Sequence, residues 1–85
     1  MARINDYEHV LIFALYFGLS HAIGAETIAN YIAKELPKLS DECIEMMQNY
    51  IGDTKFLMPH TFGLCESDWM CLLEQLEEEM GKRYG

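Results

Sequence analysis

Val10-Leu-Ile-Phe-Ala-Leu-Tyr-Phe17 is a run of eight apolar side chains without a polar break, and Leu19 and Ile23 prolong it. A helix lying on a protein surface interrupts such a run every second or third residue, because one of its faces meets water. The run therefore predicts a segment enclosed by the protein's own core, by a second subunit or by a membrane. It falls short of the roughly 18–20 residues that a membrane span needs. The expectation is a first helix at the centre of a bundle, with any side that the bundle cannot cover becoming an oligomer interface.

Upstream, Asn5 with Glu8 three residues on has the spacing of a capping box, which starts a helix running from about Tyr7 to Ala22. Gly24 is the expected stop. A second helix is predicted over 25–36, with Ile28, Tyr31, Ile32 and Leu36 on its inner face, ended by Pro37. Ser40 then caps a third, with Asp41 and Glu42 in its first turn and Ile44, Met47 and Ile51 inward. Gly52 is its expected end. Residues 52–66 read as a long apolar loop, with one short helical turn near 54–58 stopped by Pro59. Ser67 caps the last helix, whose Trp69, Leu72, Leu73, Leu76 and Met80 make the clearest amphipathic stripe in the chain, and Gly81 closes it. No strand alternation and no internal repeat occur. The fold class is all-α: one domain spanning 1–85, a compact bundle of four helices around a hydrophobic first helix, with one long apolar loop between helices three and four.

Charge separates the two halves of the chain. Residues 1–40 hold four acids against three bases, whereas 41–85 hold ten acids against three bases, a net of −7 within a total of −8. Such a surface repels a phosphate backbone and attracts basic protein surfaces, so no direct nucleic-acid binding is expected. Cys43, Cys65 and Cys71 are odd in number and follow no framework spacing, which reads as free thiols in a reducing cytoplasm. A cleaved leader is disfavoured, because Asp6 and Glu8 stand beside Arg3 where a basic segment belongs.

The acids gather on the last helix. Glu74 and Glu78 lie one turn apart with Glu77 beside them, and Glu66 and Asp68 add charge at the start. Carboxylates at i and i+4 are about 6 Å apart along a helix axis. That is of the order of the phosphate spacing along one DNA strand, so the row suits a basic groove; as a plain alternative it only keeps the protein soluble. Phe56, Met58 and Phe62 in the loop are candidate anchors for a partner, or else a lid over the bundle.

Other chemistry is weakly supported. His60, Cys65 and Cys71 lack the short paired spacings of a zinc site, so no metal and no cofactor are expected. No nucleophile elbow, phosphate loop or dinucleotide fingerprint is present, and no catalytic residue is assigned. Ala14–Ser20 followed by Thr27–Lys34 superficially resembles a helix-turn-helix. Its turn is several residues too long, and Lys34 alone supplies a base. In size and charge the chain is similar to small phage-encoded inhibitors of host enzymes, without any shared motif. The reading is a non-enzymatic inhibitor or adaptor that uses Glu66, Asp68, Glu74, Glu77, Glu78, Phe56, Met58 and Phe62 on a basic partner. The alternative is a self-associating subunit, a homodimer whose acids only solubilise it.

Overall fold

The computed structural model describes residues 4–84, and among them there is no strand. Five α-helices follow in order: α1 Asp6–His21, α2 Ala25–Glu35, α3 Asp41–Leu57, α4 Pro59–Gly63 and α5 Glu66–Tyr84, with a single 3₁₀ turn over Leu36–Lys38. Arg3, weighed as part of a leader, lies outside the described residues.

Local chemistry sets the first boundaries. The Asn5 side chain accepts from the Glu8 N–H at 2.8 Å, and Glu8 returns the bond to the Asn5 N–H, so the capping box is complete. Glu8 does more than cap. Its carboxylate is buried and also accepts from the Ser40 N–H at 2.6 Å, which ties the start of α1 to the start of α3. Ser40 in turn caps α3 by accepting from the Cys43 N–H. At the other end of α1 the left-handed residue is Ala22, with φ 52°, and Gly24, with φ 66°, serves as N-cap of α2.

Three expected boundaries are overturned. Helix α3 continues through Gly52 to Leu57, because Gly costs a helix interior only about 1 kcal/mol and the buried Ile51 beside it holds the element in place. The true break is Met58, where the ring of Pro59 removes an N–H and disfavours helical backbone in the residue before it. Most of the expected loop is thus helix, the end of α3 and the short α4. Helix α5 begins at Glu66, one residue ahead of Ser67, with the Trp69 N–H bonded to the Cys65 carbonyl. It also runs past Gly81, because Arg83 is pinned: it donates to Asp41 at 2.7 Å, to Glu79 at 3.0 Å and to the Leu36 carbonyl at 3.1 Å.

Helices α2 and α3 each pack against both α1 and α5, so α1 and α5 face each other across the bundle, while α4 plugs one end between them. Leu15, Leu19, Ile32, Ile44, Met47, Trp69 and Leu72 fill the centre, each burial contributing about 1.5–3 kcal/mol. On α2 the inner face is Ala25, Ala29, Ile32 and Leu36, with Ile28 half-buried and Tyr31 outside. The small buried Ala25 and Ala29 stand on the inner face in place of Tyr31, which is exposed.

Helix α1 is therefore not enclosed. It stands at one corner, with Leu11, Ile12, Leu15 and Leu19 inward and Val10 and Phe13 exposed at 65% and 69%. At 100° per residue an eight-residue apolar run covers every side of a helix, and the neighbouring helices leave Val10, Phe13, Tyr16 and Phe17 of it exposed.

Candidate functional site

Glu66, Glu74, Glu77 and Glu78 are all exposed on α5, and Asp68 is half-buried at its first turn. Trp69, Leu72 and Leu76 point inward, so Glu74 and Glu78, about 6 Å apart along the axis, stand on the opposite face. Glu77 flanks them. Glu79 belongs to another arrangement, since its carboxylate is bonded to Arg83.

The expected anchors divide. Phe56 is 83% exposed at the last turn of α3, and Met58 is exposed at the break that follows. Phe62 is 2% exposed. It is the one large apolar residue of α4 that faces the bundle, so it stabilises the fold and has no surface to offer a partner. Leu57 and Leu64 are exposed beside these positions and were not expected. Helix α5 leaves this apolar corner at Glu66, which places the acidic row directly after it in the chain.

A second surface is the uncovered side of α1, expected in general terms but not residue by residue. Val10, Phe13 and Phe17, at i, i+3 and i+7, form an exposed stripe along α1, with Tyr16 on its flank. Polar residues at both ends of that stripe, Asp6 and Ser20, were the available signal. A groove on one side is lined by His9, Ile12, Phe13, Tyr16, Met46 and Tyr50, where Tyr16 and Tyr50 meet edge to face at 5.6 Å. The groove on the other side is lined by Leu11, Ala14, Thr27, Ile28, Tyr31 and Ile32. At the helix end His21 stacks on Phe17 at 4.3 Å, with its Nδ1 3.1 Å from the Phe17 carbonyl oxygen.

Titration is displaced at the ties between helices. Tyr7 donates to Glu35, which raises the phenol and lowers the carboxyl. Tyr84 and then Arg83 hold Asp41 below the usual carboxylate range. Burial, with the nearby Glu8 charge, pushes the Cys43 thiol up to about 12. None of these groups lines either groove beside α1. His60 is exposed on α4, Cys65 is half-buried near the Ala22 carbonyl, and Cys71 is exposed on α5. Among the described residues no group of three or more His, Cys, Asp or Glu is placed to hold a metal ion, and no helix is long and apolar enough to cross a membrane. Compared with protein-family models, curated proteins and solved structures, the chain matches none.

Proposed function

We propose that this chain is a non-enzymatic inhibitor or adaptor that acts in the cytoplasm on a protein with a basic, nucleic-acid-processing surface. One observation carries the reading: the exposed apolar residues Phe56, Leu57, Met58 and Leu64 lead in the chain directly into α5, which presents Glu66, Glu74, Glu77 and Glu78 on its surface. An apolar anchor supplies binding energy, and an adjacent acidic row selects and steers a basic partner. Glu66 and Glu78 are separated by about 18 Å along the axis. A small phage product that blocks a host defence enzyme fits this chemistry.

The test is capture of a purified basic nucleic-acid enzyme panel on the immobilised protein, eluted by a salt gradient. Wild type should retain a member that elutes at moderate salt, and Glu74→Lys/Glu78→Lys should lose it by about 100-fold or more while its helicity is unchanged. Equal retention by both proteins would remove the acidic row from the mechanism.

A second reading, a self-associating subunit, is favoured by a different observation, the uncovered apolar stripe on α1.

A further inference from the structure

The stripe on α1 has a pattern of its own. Asp6, Val10, Phe13, Phe17 and Ser20 follow each other at intervals of four, three, four and three residues, the spacing of a helix-to-helix seam. Inverted about the peptide bond between Phe13 and Ala14, the sequence maps Val10 onto Phe17, Asp6 onto His21 and Phe13 onto its small neighbour Ala14. Within the stripe the inversion exchanges Val10 and Phe17, and at the helix ends it sets Asp6 against His21.

We propose that the outer face of α1 is covered by a second copy of this chain, packed antiparallel about a two-fold axis that crosses α1 between Phe13 and Ala14. The inference rests on self-association and adds its direction and register. Val10 of each copy lies level with Phe17 of the other, the two Phe13 rings meet at the axis, and Ala14 lets the backbones approach. The opposed macrodipoles attract, and Asp6 comes level with His21 at the other helix's end.

Area and charge both point to this occupant. Aromatic side chains carry roughly 150–250 Å² each. The exposed fractions of Phe13, Tyr16 and Phe17, with Val10 and the groove wall Tyr31, therefore offer roughly 500 Å² per copy. A standard specific interface uses about 800 Å² per partner, including the polar rim that surrounds such a centre. Two molecules of net charge −8 repel each other, and the stripe carries only Asp6 among its charged residues. The acidic row of α5 lies across a molecule measuring 35 × 27 × 21 Å, well beyond the roughly 8 Å over which charge is felt at physiological salt. A basic partner would find little to attract it on this face; an identical copy finds its acids pointing away.

Sedimentation equilibrium of wild type beside Phe13→Glu, with disulfide trapping, tests the proposal. Phe13 is exposed, so the substitution leaves the core intact, and circular dichroism checks that it does. Wild type should sediment at twice the 9.8 kDa chain mass, and Phe13→Glu should weaken dimerisation by about 100-fold or more by placing two carboxylates at the axis. In a Cys65→Ser/Cys71→Ser background, Phe13→Cys should form a disulfide-linked dimer readily. Val10→Cys should not, because an antiparallel register holds it about 10 Å from its own copy along the axis. A wild-type monomer at the highest attainable concentration overturns both the register and self-association. A dimer that survives Phe13→Glu, or that Val10→Cys links as fast as Phe13→Cys, overturns this face or this direction and leaves self-association standing.

Discussion

Gly18 occupies the tightest point in the bundle. A Cβ placed there would lie 2.8 Å from Ile28 Cδ1, 3.0 Å from the Ile23 carbonyl oxygen and 3.2 Å from the Trp69 ring. The Ile28 methyl can turn aside, but the carbonyl and the buried indole cannot. Gly18→Ala should therefore destabilise the fold by about 1–3 kcal/mol despite alanine's better helix propensity. Gly52 has nothing within 4 Å of the same atom, so Gly52→Ala should instead stabilise by about 0.5–1 kcal/mol. Thermal unfolding of the pair, followed by the single Trp69, reads both signs. Cys43 makes a second contrast. It is buried and its thiol is held up to about 12 from an ordinary value of 9.0. Its contribution is complete below pH 9 and is lost as pH rises toward 12, because the unfolded thiol ionises first and the folded one resists. In native protein a thiol reagent should modify Cys71 at once and Cys43 only after unfolding; prompt labelling of Cys43 would contradict the packing.

At the scale of elements, the ends of the helices were legible wherever the cause is local. Asn5 with Glu8, and Ser40, announce their caps within four residues, and Pro59 stops the helical turn expected near 54–58, which is the last part of α3. Gly52 and Gly81 misled because a glycine's cost in a helix is about 1 kcal/mol, less than distant contacts return. Arg83 is such a contact: 42 residues separate it from Asp41, and no periodicity announces that pairing. The pair also carries a pH dependence. The folded-state pKa of Asp41 is depressed by Tyr84 and Arg83, so its stabilisation is present above the ordinary carboxylate range and fades as pH falls through the lowered value. Amide protection in the last turn of α5, taken against the intrinsic exchange rate at each pH, should fall as pH drops through the lowered Asp41 value, and Asp41→Asn should show the weaker protection already at neutral pH. Equal exchange in the two proteins at neutral pH would release Asp41 from this role. Phe56 and Phe62 look alike in sequence, and only the turn at Met58 decides that one meets water and the other the core.

The whole molecule separates three kinds of surface around one core. The acidic row lies on α5, the exposed apolar residues Phe56, Leu57, Met58 and Leu64 flank α4, and the apolar stripe lies on α1 across the bundle from α5, its Tyr16 sharing a groove with Leu57 and Met58. The all-α class was legible because the stripes of α3 and α5 repeat at helical spacing. The placement of α1 at a corner was not, since apolarity alone says that a segment seeks cover and leaves open what supplies it. In the bundle α2, α3 and α4 pack on α1, the Trp69 ring of α5 reaches it at Gly18, and half of its apolar run is left outside. A soluble chain rarely keeps half-exposed Phe and Tyr side chains in one stripe without a partner for them. Association through this stripe makes folding depend on protein concentration. The most direct measurement is the unfolding temperature of wild type and Phe13→Glu across a 100-fold range of concentration, read by Trp69 fluorescence. The wild-type value should climb steadily with concentration while that of Phe13→Glu stays flat. A wild-type value that does not move would contradict the claim that a second copy covers α1.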